Sequence, residues 1–323
     1  MKISVALCTW NGERYLRAQI GSILSQTRQP DEIVIRDDVS SDGTVALLHT
    51  LLDGAPIHVD IAVQPRNIGS VQNFQDAIQA CTGDAIFLCD QDDIWLPNKV
   101  EQMVSALEAR QDAGWAFSDL ALVDDSLTAL HRTMWEDIGF GRDLRRVFQS
   151  DPLEALLRRP LATGAAMLVR RDLVLRSMPF PEGWVHDHWI SLFITGAGRP
   201  GIAIETPLVR YRTHSAQQIG IRNNSWKSKI RKIVSAGPEE YRRYAARYDL
   251  LADRIRQAGG PDASVELVRT AAAHHEARGA MQGSSFFERI RKIAAEVRNK
   301  RYRFSAHPGF SWVKDLLGIS PAT

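Results

Sequence analysis

The sequence contains few cysteines and no long hydrophobic run. Its 323 residues include three cysteines, Cys8, Cys81 and Cys89, and none of them forms a CxxC pair. A sparse, odd set in a chain of this length is typical of free thiols in a reducing compartment. No window approaches the roughly 20 apolar residues that a membrane-spanning helix requires. The apolar run at the N-terminus lacks the cleavage site of a secretory signal, so we expect a cytoplasmic protein.

The sequence also lacks the glycine-rich motifs of two common nucleotide-binding folds. No GxGxxG follows the first predicted strand, and no GxxxxGK[ST] occurs anywhere in the chain. These motifs cradle the phosphates of dinucleotides and of nucleoside triphosphates. Dinucleotide-dependent oxidoreductases and P-loop enzymes are therefore disfavoured.

Neither sign of charge dominates the whole chain, but the two parts of the chain differ. The formal net charge is +2. Residues 221–323 contain 20 Lys and Arg against 10 Asp and Glu, which leaves 20 against 28 in residues 1–220. An acidic body with a basic tail predicts two parts with different tasks. We therefore place a domain boundary near residue 220.

Short apolar runs alternate with amphipathic helical patterns along the first 125 residues. This alternation predicts an α/β fold with a mostly parallel sheet flanked by helices. The chain from 221 onward has helical patterns, so a helical C-terminal region is predicted. Residues 126–150 look irregular, and residues 201–215 predict two short extended pieces around Pro207. The predicted strands are 3–8, 32–38, 57–63, 85–89 and 115–125.

Polar side chains follow three of these strands. In open α/β sheets, ligands bind outside the carboxyl ends of the strands. We therefore expect the polar residues at those ends to line one common site. They are Thr9 and Asn11 after the first strand, Asp37 and Asp38 after the second, and Asp90 and Asp92 after the fourth.

The segment AIFLCDQDDIWLP, residues 85–97, places Asp90, Asp92 and Asp93 within four positions. Carboxylates this close together raise each other's pKa and need a compensating partner. A water-solvated turn and a hard cation both satisfy that need. Mg²⁺ or Mn²⁺ takes one or two protein carboxylates and completes its coordination with water and substrate phosphates, so the cation would imply a nucleotide or diphosphate ligand.

Several ordered segments resemble the family 2 glycosyltransferases with the GT-A fold. The similarity covers residues 1 to about 220 and is greatest to the branch of bacterial rhamnosyltransferase-like enzymes of surface-polysaccharide assembly. It implies a nucleoside-diphosphate sugar donor, a Mg²⁺ or Mn²⁺ ion, inversion at the anomeric carbon, and a growing glycan or lipid-linked acceptor. The segments are VALCTWNGERYLRAQIGSILSQT, EIVIRDDVSSDGT, NIGSVQNF and IFLCDQDDIWLPNKV.

The resemblance also implies roles for individual residues. The sequence departs from the family pattern at two points. Val39 stands where the family often has glycine, and the QxxRW element of processive synthases is absent, which favours one sugar per encounter. The implied roles are donor-nucleotide binding for Thr9, Asn11, Asp38, Asn67 and Asp90, metal binding for Asp90, Asp92 and His214, and catalytic base for Asp187 in VHDHW.

Alternatives to these roles stay open at the level of sequence. Asp187 in the first turn of a helix could simply complement the helix dipole, and Trp189 is better explained as core than as a sugar platform. A sugar-nucleotidyltransferase would share the sheet and the metal, but would normally show a glycine-rich basic loop after the first strand. A catalytically inactive sugar-nucleotide or glycan-binding module would not need a base.

The basic tail contains two amphipathic patterns with two interpretations. The helices could pack their apolar stripes on the catalytic domain, or they could lie on an anionic membrane. The second interpretation would place the protein peripherally at the inner face of the cytoplasmic membrane. Nucleic-acid binding is disfavoured because no recognised motif appears. The apolar stripes are Phe286, Ile290, Ile293 and Val297, and Trp226, Ile230 and Ile233.

Overall fold

The computed structural model describes residues 1–214, 237–305 and 308–317 of the chain. Within these residues, nine strands form a single sheet. The strands are β1 Ile3–Thr9, β2 Glu32–Asp37, β3 His58–Val63, β4 Ala85–Cys89, β5 Ile94–Trp95, β6 Trp115–Val123, β7 Ala129–Thr133, β8 Met167–Arg170 and β9 Gly201–Arg212.

Helices lie between many of these strands and follow the last one. The helices of the described residues are α1 Glu13–Leu24, α2 Thr44–Leu52, α3 Ser70–Ala80, α4 Lys99–Ala109, α5 Met134–Ile138, α6 Arg142–Ser150, α7 Pro152–Arg158, α8 Arg171–Arg176, α9 His186–Gly196, α10 Pro238–Gln257, α11 Asp262–Met281, α12 Phe286–Arg298 and α13 Pro308–Leu317.

The chain divides into two compact units. The second unit includes residues 142–160, which the sequence grouped with the first 220 residues. The first unit contains Met1–Gly141, Leu161–Thr195 and the segment that begins at Arg199, and the second contains Arg142–Pro160, Gly196–Gly198 and the C-terminal helices.

The sheet of the first unit confirms the predicted α/β class. Its strand order is β3-β2-β1-β4-β8-β6-β9-β5, with β7 paired to β6. The strands β3, β2, β1 and β4 run parallel to one another, and β6 runs parallel to β9. The remaining described pairings, which involve β5, β7 and β8, are antiparallel. The parallel half is the part that the sequence alternation predicted.

Strands β1, β2 and β4 are buried along their whole length. Continuous apolar runs suit strands that are covered on both faces. Leu7 lies opposite Ile35 on one side and Cys89 on the other. Because the three strands run parallel, the segments that follow them leave the sheet at the same edge.

Two local predictions were wrong. Residues 126–150, predicted as irregular, contain β7, α5 and α6. Residues around Pro207 form one strand, β9, instead of two pieces, and its register against β6 shifts between Ser118 and Leu120. A proline has no N–H to donate to the ladder, so a shift in register accommodates it within one strand.

The second unit has a buried polar network among its C-terminal helices. His274 Nδ1 lies 2.7 Å from Glu296 Oε2, and its Nε2 lies 2.8 Å from Ser305 Oγ. Arg278 forms an ion pair of 2.8 Å with Asp315. The His274, Glu296 and Ser305 residues are at most 4% exposed. The network therefore stabilises the packing of the unit, because each buried polar group has a partner.

Helix α12 carries one of the two predicted apolar stripes. Ile293 is buried, but Phe286, Ile290 and Val297 are each more than 40% exposed. Ser285 caps this helix through a capping box with Glu288. The other predicted stripe, with Trp226, Ile230 and Ile233, lies outside the described residues. Among the described residues, no helix is both long enough and apolar enough to cross a membrane.

Candidate active site

A cavity of about 280 Å³ lies where the carboxyl ends of β1, β2 and β4 meet. It brings together seven of the eight residues that the sequence singled out for a site, from segments far apart in the chain. Asn67 does not line this cavity, but its Nδ2 donates to the Asp38 carbonyl at 3.2 Å. The seven are Thr9, Asn11, Asp38, Asp90, Asp92, Asp187 and His214.

The loop after β2 is organised by Asp37, which is fully buried. Its carboxylate accepts hydrogen bonds from the Thr9 hydroxyl at 2.7 Å and from the amide and hydroxyl of Ser40 at 2.7 and 2.6 Å. Thr9 is thus occupied in fixing the loop. Asp37 is a residue of the site whose position the sequence noted but whose role it left unassigned.

Asp38 connects this loop to the start of α3. Its carboxylate accepts hydrogen bonds from the backbone amides of Ile68 and Gly69, at 2.7 and 2.9 Å. Each carboxylate oxygen has two acceptor positions, so one on each oxygen is left for a ligand. The first residues of the segment NIGSVQNF, one of the segments that resemble family 2, therefore hold Asp38 in place.

Val39 follows Asp38 in the left-handed region of backbone conformation, with φ of +63°. The turn therefore keeps the conformation that glycine favours, although this chain has a branched side chain there. Val39 is 42% exposed, so the side chain gains little from packing. An L-residue in this region costs about 1–2 kcal/mol.

Replacing Val39 by glycine should raise the free energy of unfolding by about 1 kcal/mol, because relief of strain exceeds the entropy cost of glycine. Urea denaturation of the two proteins measures the change. Val63→Gly is the matched control, since Val63 is an exposed valine in strand β3. It should lower stability by about 0.5–1 kcal/mol. A loss of stability in Val39→Gly would show that the turn is not strained.

Gln91 joins the loops that follow β1 and β4, and sequence reasoning missed it. Its Oε1 accepts from the Trp10 amide at 2.8 Å and its Nε2 donates to the Trp10 carbonyl at 3.0 Å. A Cβ built on Gly12 would lie 2.2 Å from Gln91 Oε1, so residue 12 has to be glycine for this contact. The only sequence signal was the position of Gln91 between Asp90 and Asp92.

The acidic turn after β4 contains carboxyl groups whose pKa values are raised above the ordinary value. Burial raises the pKa of Asp90 to about 7, and the negative charges of Asp92 and Asp187 add to the effect. Burial also raises the pKa of Asp93, whose carboxylate accepts from the Arg212 amide at 3.1 Å. The turn is thus not simply solvated. It has charges that call for a positive partner.

Part of that partner is Lys99, which is fully buried. Its Nζ donates to the Ala165 carbonyl at 2.7 Å and lies 3.6 Å from the centre of the Trp95 ring. Burial lowers the pKa of Lys99 to about 7, against the opposing effect of Cys89, Asp93 and Asp90. The lysine supports the turn from within the protein, and is not among the residues that line the cavity.

Asp92 and His214 meet at the cavity, 122 residues apart in sequence. His214 Nε2 lies 2.8 Å from Asp92 Oδ2, and the His214 ring packs against Tyr15 with centroids 4.8 Å apart. Arg212, two residues earlier, donates to the Asp92 carbonyl at 2.9 Å. The end of β9 therefore fixes the acidic turn from its far side.

The residues fit a divalent cation that takes few protein ligands. Among the described residues, no three His, Cys, Asp or Glu side chains are arranged to hold an ion by themselves. Asp90 and Asp92 both line the cavity, and the negative charge of Asp92 adds to the effect of burial in raising the pKa of Asp90. Two adjacent carboxylates without a cage suit Mg²⁺ or Mn²⁺ bound together with substrate phosphates.

Asp187 lies in the first turn of α9 and is held by two backbone amides. Its Oδ2 accepts from Gly164 at 2.9 Å and its Oδ1 from His188 at 2.6 Å. Gly164 opens a short 3-10 turn, Gly164–Ala166, which Lys99 also contacts. The carboxylate is thereby fixed at the cavity wall, with acceptor positions left for a substrate hydroxyl.

Trp189 is part of the core and does not face the cavity. It is fully buried and its Nε1 donates to the Ser177 carbonyl at 2.8 Å. A buried indole with its N–H paired is a structural group. This confirms the core interpretation of Trp189 over the sugar platform.

The chain matches the family described as Glycosyl transferase family 2 over residues 4–175, which is more than half of its length. The chain belongs to glycosyl transferase family 2. Residues 4–175 are a family 2 glycosyltransferase domain, and the resemblance seen in the ordered motifs is confirmed. Asp187 and His214 lie beyond the matched residues, so the family match does not bear on them.

Relatives of this family 2 protein occur in several bacteria. An uncharacterized glycosyltransferase of Nostoc sp. is 31% identical over 147 residues, 46% of this chain and 45% of that protein. An uncharacterized glycosyltransferase of Haemophilus influenzae is 23% identical over 240 residues, 72% of this chain and 71% of that one. The Escherichia coli UDP-Glc:alpha-D-GlcNAc-diphosphoundecaprenol beta-1,3-glucosyltransferase is 29% identical over 105 residues, 32% of this chain and 40% of the enzyme. The chain spans about half the length of the relatives from Nostoc and Mycobacterium.

Solved structures share the fold. S. aureus TarS 1-349 in complex with UDP-GlcNAc has a TM-score of 0.60 at 14% identity, over 99% of this chain and 89% of that one. The mannosyltransferase PcManGT from Pyrobaculum calidifontis, in complex with GDP-Man and Mn²⁺, has a TM-score of 0.50 at 15% identity, over 98% and 86%. At such identities the likeness shows the fold alone, and it confirms the predicted GT-A type.

Proposed function

We propose that the protein is a metal-dependent, inverting glycosyltransferase that adds one sugar per encounter to a growing glycan or a lipid-linked acceptor. The observation that carries this proposal is the convergence of Asp38, Asp90, Asp92, Asp187 and His214 on one cavity of about 280 Å³. Membership of family 2 supports the reaction class. We assign the catalytic activity to residues 1–220.

Asp187 is the catalytic base in this proposal. It accepts the proton of the acceptor hydroxyl, whose oxygen attacks the anomeric carbon of the donor sugar. The bond from that carbon to the nucleoside diphosphate breaks, and the diphosphate leaves with the electron pair. Attack from the face opposite the leaving group inverts the configuration. The backbone amides of Gly164 and His188 fix the carboxylate at the wall of the cavity, which supports its role as the base.

The other residues of the cavity would hold the donor. Asp90, Asp92 and His214, which do not form a complete metal site by themselves, would bind a Mg²⁺ or Mn²⁺ ion together with the phosphates of the donor. The ion would supply positive charge to the leaving diphosphate when bound. Asp38 would accept hydrogen bonds from the nucleoside, with Thr9, Asn11 and Asn67 fixing the loops around it. Asn11 holds the loop after β2 through its Oδ1, which accepts from the Ser41 amide at 2.8 Å. The complex of PcManGT with GDP-Man and Mn²⁺ supports use of a divalent metal.

For the donor sugar, the motif resemblance favours rhamnose. The names of similar proteins bring other donors into the comparison. They include UDP-Glc in the Escherichia coli enzyme, UDP-GlcNAc in the complex of TarS and GDP-Man in that of PcManGT. A test of the proposal must therefore include deoxythymidine, uridine and guanosine diphosphate sugars.

The test is a panel of these nucleotide sugars, each with and without Mn²⁺, read by thermal stability and by product analysis. The proposed enzyme binds one nucleotide class and releases its nucleoside diphosphate. Exchange of pyrophosphate instead would indicate a sugar-nucleotidyltransferase. Binding of the sugar nucleotide without any release, in the presence of acceptor extracts, would indicate a binding module and refute the enzyme.

For residues 221–323 we propose contact with an anionic membrane, which would hold the protein peripherally at the inner face of the cytoplasmic membrane. The exposed residues of α12 supply the surface. Apolar and cationic side chains recur on them at helical spacing, the pattern of a helix that lies in a membrane interface. The positive charge complements anionic lipid headgroups. The exposed residues of α12 are Phe286, Phe287, Glu288, Ile290, Arg291, Ala294, Val297 and Arg298, of which Glu288 is the one acidic side chain and is engaged in the capping box with Ser285.

Ile290→Ser should weaken binding to vesicles of phosphatidylcholine with phosphatidylglycerol about tenfold, because a buried apolar side chain contributes about 1.5–3 kcal/mol. Co-sedimentation with the vesicles measures the bound fraction. Leu250→Ser is the matched control, because Leu250 in α10 and Ile290 are each 41% exposed. Equal sedimentation of both variants and the unchanged protein would contradict membrane contact through α12, and association of the unchanged protein with itself would point to a second copy.

A further inference from the structure

His186 is a buried polar residue of the cavity that the proposed reaction does not use. It is the first residue of α9 and is 7% exposed. Its ring stacks on Phe74 with centroids 4.2 Å apart and an interplanar angle of 26°. The stack fixes the orientation of the imidazole at the wall of the cavity.

Neither ring nitrogen of His186 has a hydrogen-bond partner within the described part of the chain. Buried polar side chains are paired in the large majority of cases, so an unpaired one needs an explanation. A ligand that enters the cavity can supply the missing partner. The imidazole also stands directly beside the proposed base, Asp187, in sequence and in space.

The turn opposite the imidazole is shaped around it. A Cβ built on Gly164 would lie 2.9 Å from Nε2 of His186 and 3.8 Å from Oδ2 of Asp187. The amide of the same glycine donates to Asp187. Glycine at this position therefore lets one short turn accommodate both the imidazole and the carboxylate.

The charge around His186 decides which chemical group fits. Burial lowers the pKa of His186, with a smaller opposing effect from Asp187, so the ring is neutral at neutral pH. A neutral imidazole has one donor and one acceptor nitrogen. A hydroxyl group can satisfy either nitrogen, whereas a phosphate would meet the negative charge of Asp187 beside a ring without positive charge.

We propose that His186 is a specificity-determining residue that exchanges a hydrogen bond with a hydroxyl group of a sugar bound beside Asp187. The inference rests on the proposed function, because it takes the cavity to hold a sugar during transfer. The sugar is either the one carried by the donor or the one that accepts it. Both present the same chemistry to the imidazole, and the experiment separates them.

The experiment compares the unchanged protein with His186→Phe, His186→Gln and the control His49→Phe. The phenylalanine keeps a ring for the stack on Phe74 but has no nitrogen, and the glutamine restores a donor and an acceptor. His49 is an exposed histidine of α2. Calorimetry measures the affinities for UDP and UDP-glucose, GDP and GDP-mannose, and dTDP and dTDP-rhamnose. Thermal melting checks that each variant is folded.

If the donor sugar is the ligand, His186→Phe loses about tenfold in affinity for the nucleotide sugar, equivalent to about 1.4 kcal/mol. Its affinity for the bare nucleoside diphosphate is unchanged, and His186→Gln recovers part of the loss. If the acceptor sugar is the ligand, both affinities are unchanged. The KM for p-nitrophenyl glycoside acceptors then rises about tenfold, while hydrolysis of the donor by water continues at its normal rate.

Unchanged nucleotide-sugar affinity together with unchanged acceptor KM in His186→Phe would overturn the inference. Failure of the proposed function looks different, since the unchanged protein would then bind no nucleotide of the panel and release no diphosphate. An equal loss of affinity for the bare diphosphate and the nucleotide sugar would also overturn the inference, because it would show that His186 acts on the nucleotide or on folding.

Discussion

Replacing Asp187 by asparagine should reduce sugar transfer by about 10²- to 10⁴-fold, the usual contribution of a general base. The substitution keeps the shape of the side chain, but the amide cannot take the proton of the acceptor hydroxyl. Binding of the donor nucleotide should persist, because the negative charge of Asp187 raises the pKa of Asp90. Its removal favours the ionised form of Asp90 that a cation needs. Release of nucleoside diphosphate in the presence of acceptor measures the turnover.

The control for this variant is Asp172→Asn. Asp172 is an exposed carboxylate in the first turn of α8, the same helical position as Asp187 in α9. If Asp187 only complements the helix dipole, both variants should lose a similar small amount of stability, and both should keep their normal turnover. Normal turnover in Asp187→Asn would therefore remove the base from the proposal.

Replacing Asp92 by alanine should abolish the effect of Mn²⁺ on nucleotide binding. A ligand that binds only the folded protein stabilises it by about 2.7 kcal/mol at a hundredfold excess over its dissociation constant. In the unchanged protein we expect this stabilisation to depend on Mn²⁺. In Asp92→Ala the thermal shift with nucleotide should be small and equal with and without the metal, because one of the two carboxylates for the cation is gone.

Two further variants make the result specific. Asp112→Ala removes an exposed carboxylate that pairs with Arg110, and should leave the Mn²⁺ effect intact. His214→Gln removes the imidazole that contacts Asp92 at 2.8 Å, and should reduce the effect if His214 is a metal ligand. A Mn²⁺-dependent shift of normal size in Asp92→Ala would show that no cation binds at this turn.

The sequence anticipated the rim of the site because parallel strands end at a common edge. Thr9, Asp38 and Asp90 could be placed together from strand order alone, since each follows a buried apolar run. Asp92 came with Asp90 in the same turn. No knowledge of side-chain packing was needed for this step, only the rule that ligands bind outside the carboxyl ends of such strands.

The turn at Val39 is a feature that the sequence pattern alone does not predict. Val39 stands where the family often has glycine, yet the backbone keeps φ at +63°. The contacts of Asp37 with Thr9 and Ser40 hold the loop on both sides of Val39. These contacts outweigh the preference of valine for negative φ, and the conformational propensity of a single residue cannot predict them.

The sequence by itself determined the alternation of strands and helices, the family, and the acidic rim, because these depend on periodicity and on the order of motifs. Only the tertiary structure decided which side chains lie near the acidic turn as counter-charges and which buried polar groups have no hydrogen-bond partner among the described residues. Lys99 becomes a buried counter-charge to Asp90 and Asp93, and His186 is left without a partner in the described residues, because of segments far away in the chain. Desolvation and pairing depend on the whole surroundings of a group, and those surroundings exist only once the chain has folded.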